Sequence, residues 1–144
     1  MKNTLQLIQT RIAAIPEVKY CDEDWGQLDY YSSNAPVKWP CVLIDLQTGQ
    51  FSNIGNNLQN GDMTIAVNIA DLKLAPTSSK VPAGMKAKQW SILELEEKVH
   101  KQIHAWCPDH TKAGKLTRIS SYKIKRDDGI IQRIVIYNFT FYNI

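Results

Sequence analysis

The sequence predicts an α+β fold: a mostly antiparallel or mixed β-sheet of four to five strands with two helices packed on it, in the order α-β-β-α-β-β. Three stretches carry that expectation. From Trp90 to Trp106, the residues Ile92, Leu95, Val99, Ile103 and Trp106 recur at three and four positions, the stripe of a helix lying on a sheet. From Met63 to Leu72, Met63, Ile65, Val67 and Ile69 alternate with Thr64, Ala66, Asn68 and Ala70, the two-residue period of a strand with one face in a core. Asp128-Gly129 then separates two β-rich runs, Thr117 to Lys125 and Ile130 to Tyr142, as a hairpin would.

Taken in order, Leu5, Ile8, Ile12 and Ile15 keep helical spacing behind caps at Asn3 or Thr4, and Pro16 closes this first helix. Val18 to Cys21 has the length of a brief strand. Asp22, Glu23, Asp24 and Asp29 form an acidic patch around Trp25 and Tyr30. Trp39-Pro40 leads into Cys41-Val42-Leu43-Ile44, an apolar run suited to a buried strand. Gly49 to Asp62 is mostly Gly, Asn, Gln and Ser around Phe51, Ile54 and Leu58, and reads as a loop or irregular hairpin.

Residues 73–88 combine three bends' worth of Pro and Gly with Lys73, Lys80, Lys86 and Lys88 and no acid. Too little apolar surface is present there to offset ordering entropy, so a flexible basic loop is expected. In the helix that follows, Ser91 and Glu94 have capping-box spacing, Trp90 and Leu95 form a staple, and Cys107-Pro108 marks the end. Glu94 with Lys98 and Glu97 with Lys101 stand at ion-pair spacing. In the last strand Val135, Tyr137, Phe139 and Phe141 line one face and Ile134, Ile136 and Tyr142 the other, which suits a central strand. The turn at Asp128-Gly129 takes two or three residues, and that choice sets the register.

Composition narrows function by exclusion. With 44% hydrophobic and 22% charged residues, the 144-residue chain suits one domain, and no internal repeat or linker divides it. The net charge of +3 is too small to argue for nucleic acid without a concentrated patch. No signal peptide or apolar run of membrane-spanning length is present, so a soluble protein used without export is expected. Cys21, Cys41 and Cys107 fit neither a paired framework nor a CxxC site and are expected as free thiols.

Candidate chemistry is sparse. His100 and His104, four apart on one helix, with Cys107 and His110 at three-residue steps beyond, resemble a zinc-ligand spacing, but Pro108 breaks the helical register and the order matches no established zinc module. The helix acids have lysine partners, and GxSxG, a glycine-rich phosphate loop and a Cys-His-Asn pattern are all missing. The chain is therefore read as non-enzymatic, without metal or cofactor. Lys112, Lys115, Arg118, Lys123, Lys125 and Arg126, beside Tyr122 and Tyr137 as stacking faces, leave open a monomeric binding module with a nucleic-acid surface over 112–126.

The order of elements, with WPCVLI at 39–44, MTIAVNIADL at 63–72, ILELEEKVHKQI at 92–103 and DDGIIQRIVIYNFTFY at 127–142, resembles the tail terminator and head-to-tail joining proteins of long-tailed bacteriophages. The resemblance spans nearly the whole chain. It implies a ring of subunits arranged head to tail, of six copies, assembled in a bacterial host's cytoplasm and located in the virion at the tail and neck junction. The partners implied are the tail tube protein and a head-completion or connector protein, with DNA passing through the ring and no membrane contact. Joined to the charge pattern, it suggests an interface drawing on Asp22, Glu23, Asp24 and Trp25 on one side and on Lys73, Lys80, Lys86, Lys88, Lys115 and Arg118 on the other, or a basic loop facing the DNA passage.

Overall fold

The computed structural model describes residues 1–29, 35–72, 79–80 and 90–142. It contains helix α1 (Lys2–Ala13), strand β1 (Tyr20–Glu23), a 3-10 turn (Gln27–Asp29), β2 (Cys41–Gly55), β3 (Leu58–Leu72), helix α2 (Ser91–Ile103), β4 (Thr117–Ile124) and β5 (Ile130–Phe141). The five strands form one sheet in the order β1-β2-β3-β5-β4. Among the described residues only the β1–β2 pair is parallel, so the sheet is mixed, and three strands rather than two are described before α2. Tyr30, Lys73, Lys86, Lys88 and most of the expected basic loop lie outside the described residues.

Both helices cover one face. Ile8 and Ile12 of α1 and Ile92, Leu95, Val99 and Ile103 of α2 interleave with Val42, Ile44, Met63, Ile65, Val67, Ile69, Val135, Tyr137, Phe139 and Phe141. Each aliphatic side chain fully buried here contributes roughly 1.5–3 kcal/mol from removal of apolar surface from water. The opposite face is only partly covered, where Leu28, Val37 and Trp39 pack on Cys41, Leu43 and Ala70.

The helix ends differ from the expected ones. In α1, Met1 rather than Asn3 or Thr4 holds the cap position, and Thr4 lies buried in the helix's first turn. In α2 the cap is Trp90, one residue before Ser91, and it supplies no side-chain cap bond. The same helix stops at Ile103 instead of running to Trp106. Ala105 takes a positive φ of 60° and donates to Leu116 O, while Leu116 N returns a bond to Trp106 O. These tertiary backbone bonds replace the last helical turn. Trp106 still reaches the core edge, with the Arg11 guanidinium 4.7 Å from its ring centroid. Lys98 pairs with Glu17 at 2.6 Å rather than with Glu94.

Between β2 and β3, where a loop or an irregular hairpin was expected, the chain forms a long hairpin with register shifts at Leu46/Thr48 and Asn53/Gly55. The turn is Asn56-Asn57, with φ of 48° and 65°, flanked by the Gly55 and Leu58 pair. Two successive positive φ values match the twist of paired strands, and asparagine tolerates them better than most side chains. The β4–β5 connection is wider than the two or three residues expected. It runs from Lys125 to Gly129 because Arg126 turns inward instead of continuing the strand.

Candidate assembly interface

The two sheet edges carry opposite charge. Asp22 and Glu23 lie on β1, with Asp24 just beyond it, at one edge; Arg118 and Lys123 lie on β4 at the other, preceded by Lys112 and Lys115. Six of the ten residues proposed from the sequence therefore fall on opposite edges of one sheet: Asp22, Glu23, Asp24 and Trp25 against Lys115 and Arg118. Lys80 is described and exposed, outside the named strands.

On the acidic edge, much of the carboxylate capacity is used locally. Asp22 accepts from Tyr20 OH at 2.9 Å and from Glu23 N at 2.8 Å. Asp24 accepts from Gly26 N at 3.0 Å and from Asn68 Nδ2 at 3.3 Å. Buried Gln27 donates to Glu23 O and accepts from Trp25 N, fixing the turn. That turn leaves Glu23 exposed and holds Trp25 at 56% exposure. The edge is thus a fixed shape with one outward carboxylate and one outward indole.

On the basic edge, β4 is exposed on both faces up to Ile124. Ile119 and Tyr122 are exposed there, whereas Tyr137 is fully buried and offers no stacking face. Burial pushes the Tyr137 phenol up to about 12. Its hydroxyl lies 3.2 Å from Nδ1 of His100, and His100 stacks on His104 with centroids 4.5 Å apart. Desolvation first, and the nearby Arg118 charge second, lower the His100 pKa. The Arg118 backbone N–H donates to His104 Nδ1 at 3.2 Å, tying β4 to the end of α2. Arg133 bridges the same elements through Glu96 and Ser121.

Arg126 is not part of an outward basic strip. Its guanidinium contacts Asp128 at 2.6 Å, Asp29 at 2.8 Å, Leu28 O at 2.8 Å and Gln132 Oε1 at 3.0 Å. Gln132 in turn donates to Asn68, which reaches Asp24 and Leu43 O. The chain of bonds crosses the uncovered face of β5 and β3 and pins the 24–29 segment to it. Asp128 is depressed chiefly by its bond from Arg126. An open groove of about 560 Å³ lies over this network, lined by Asp24, Asp29, Asp45, Arg126 and Asp128 among others. Asn68 was visible in the sequence as the one amide on the polar side of an alternating strand, but its partners, distant in sequence, were not.

Cys21, Cys41 and Cys107 are free; burial raises the Cys21 and Cys41 thiols to about 12, and the Cys107 thiol donates to Ala113 O at 3.0 Å. Among the described residues no group of three or more His, Cys, Asp or Glu side chains is arranged to hold a metal. Among them also, no helix is long and apolar enough to cross a membrane.

The outer half of the β2–β3 hairpin is the irregular hairpin that Gly49 to Asp62 left open beside a loop, but it extends past the rest of the sheet. β1 pairs with β2 only as far as Ile44, and β5 pairs with β3 only from Gly61 onward. Beyond the Phe51 and Gly61 pair, the hairpin continues alone to its Asn56-Asn57 tip, a projection of roughly 15 Å at strand rise. Residues 46–61 contain no charged side chain between Asp45 and Asp62, a signal the sequence did carry. Phe51, Ile54 and Leu58 are 56%, 46% and 42% exposed on this arm.

No protein-family model and no curated protein matches the chain. Among solved structures, the chain is similar to one from the "Virion of native gene transfer agent (GTA) particle", with a TM-score of 0.55 and 5% sequence identity over 97% of this chain and 92% of that one. The two share a fold across essentially their whole lengths.

Proposed function

We propose that this chain is a non-enzymatic structural protein of a phage or prophage particle, forming a ring at the tail and neck junction that ends the tail tube and joins it to the head connector. The observation that carries the reading is the placement of an acidic edge and a basic edge on opposite sides of a single sheet. A contact between two different patches of the same protein is heterologous, and when its rotation closes it makes a ring. The fold shared with a chain of a gene transfer agent virion supports the same setting. In this reading the copies number six, the ring's two rims meet the tail tube protein and a head-completion or connector protein, and DNA passes through the centre. Assembly occurs in the bacterial host's cytoplasm, and the finished protein resides in the virion.

A nucleic-acid module acting through 112–126 is less well supported. Arg126 is engaged with Asp29 and Asp128, and Tyr137 is buried, which removes a cation and a stacking face from that surface.

Light scattering across protein concentration and salt, with negative-stain imaging, tests the ring. Rings near six subunits that loosen as salt rises are expected, because exposed charge pairs are screened. A protein that stays monomeric at every concentration and does not cap isolated tail tubes overturns the proposal.

A further inference from the structure

The uncharged arm is a second asymmetry between the sheet's edges, and it says more about the contact than charge does. A two-stranded ribbon without further packing is marginal in water, and natural proteins shield open edges with charge, proline or a bulge. The outer edge of β2 beyond Ile44 has neither a neighbouring strand among the described residues nor, over residues 46–61, a charge or a proline. Register shifts between Leu46 and Thr48 and between Asn53 and Gly55 bound this edge, leaving a regular stretch from Thr48 to Asn53. Phe51 stands in that stretch, folded over Gly49, where an added Cβ would sit 3.0 Å from Cζ of Phe51.

The opposite edge is built differently. Among the described residues no strand pairs with the outer side of β4, where Ile119 and Tyr122 are exposed, but the Arg118 N–H is held by His104 Nδ1, and the strand carries Arg118 and Lys123 and a bulge between Arg118 and Ser120. Two copies of β4 would bring like charges together, which disfavours pairing of that edge with itself. An uncharged strand brings no such repulsion. The arm's root is flanked by Asp45, Asp62 and the exposed Glu23, which are complementary to the cations around β4.

Resting on the ring reading, we infer that the occupant of the arm is a second copy of this chain: the outer edge of β2 over residues 48–53 adds to the outer edge of β4 of the neighbouring subunit, with Phe51 in that stretch and Ile54 just beyond it against Ile119 and Tyr122. Each copy then gives one edge and receives the other, so the contact propagates in one direction. Main-chain bonds supply adhesion in such strand addition, and the side chains supply selection.

Two variants test this in the full chain. Phe51→Lys with Ile54→Lys places cations on the arm, and since both side chains are exposed the melting temperature should not move while self-association weakens at least tenfold. Mixing a Ser52→Cys protein with a Ser120→Cys protein and adding a short bis-maleimide should give a linked pair containing one of each, above the background of the unmodified chain. Linkage between two Ser52→Cys copies instead would mean arm-to-arm pairing and overturn the inference. So would assembly that persists in the lysine variant but is lost on Glu23→Lys, in which case the ring stands and the arm does not form it. A wild-type chain that neither associates nor caps isolated tail tubes removes the ring itself, a different failure from either of these.

Discussion

The guanidinium of Arg126 meets the carboxylate of Asp29 at 2.8 Å across 97 positions of sequence, joining the β4–β5 loop to the segment that follows β1. A basic and an acidic patch that the sequence offered as partners between subunits thus meet, at this one pair, within the same chain. The contact lies on the sheet face the helices leave open. Its effect is to hold the 24–29 segment against β3 and β5, which in turn fixes where Trp25 and Glu23 point.

Arg126→Ala should therefore destabilise far more than Asp29→Ala. The Arg126 side chain is only 11% exposed, and its loss takes the donor from Leu28 O and Gln132 Oε1 and reduces Asp128 to the bond from Ile130 N. A loss of about 2–4 kcal/mol is expected on urea unfolding. Asp29 is 75% exposed, so its removal should cost under about 1 kcal/mol. Equal effects would mean that the exposed ion pair, not the buried bonds, holds the segment.

His100 should make stability depend on pH. Its folded pKa is lowered from an ordinary value of 6.5, mainly by desolvation against Tyr137 and the sheet. The unfolded chain then binds the proton more readily than the folded one, so stability is fully present above about 6.5 and falls as pH drops through the lower folded value. Thermal melts between pH 7.5 and 5 should show this decline, and His100→Gln should flatten it. Asp128, also depressed, acts in a separate and more acidic window, below the ordinary carboxylate value of 3.8.

How much of this was legible in the sequence depends on range. Ile92, Leu95, Val99 and Ile103 mark α2, and Met63 to Ile69 mark β3, because periodic burial is written into neighbouring positions. The two charged edges were equally visible as composition. Where α2 stops was not, since Ala105 exchanges helical bonds for one to Leu116, eleven residues on. The fate of Arg126 was hidden for the same reason. For Gly49 to Asp62 the sequence left a loop and an irregular hairpin both open because its residues have low strand propensity; the hairpin is what forms, its register set by pairing of β2 with β3 rather than by a buried face.

The arm's turn offers a direct check of that account. Asn57 has a φ of 65°, a conformation glycine adopts without strain and β-branched residues resist. Asn57→Gly should leave stability unchanged or raise it slightly, whereas Asn57→Val should broaden the amide resonances of residues 50–60 and speed their hydrogen exchange. Exchange in β3 from Met63 to Ile69 should be unaffected, because β5 and the helices hold that part of the strand. If exchange there rises as well, the arm and the sheet unfold as one unit.

The charge pattern makes the last prediction. Glu23 and Arg118 are both exposed and stand on opposite edges, so neither side chain supports the core. Glu23→Lys or Arg118→Glu alone places like charges against each other across a heterologous contact, and each should weaken association several-fold at low salt. Exposed pairs are worth under about 1 kcal/mol each, so the loss should shrink as salt is raised. Combining both reversals restores opposite signs and should recover much of the association in the same titration. Recovery separates this pair from a mere dependence on net charge: the double variant has the wild-type net charge, but so does any distant swap, and a control such as Glu97→Lys with Lys2→Glu should leave association where it was. If the double reversal is as weak as either single one, Glu23 and Arg118 do not face each other between copies, and the acidic and basic edges meet different partners.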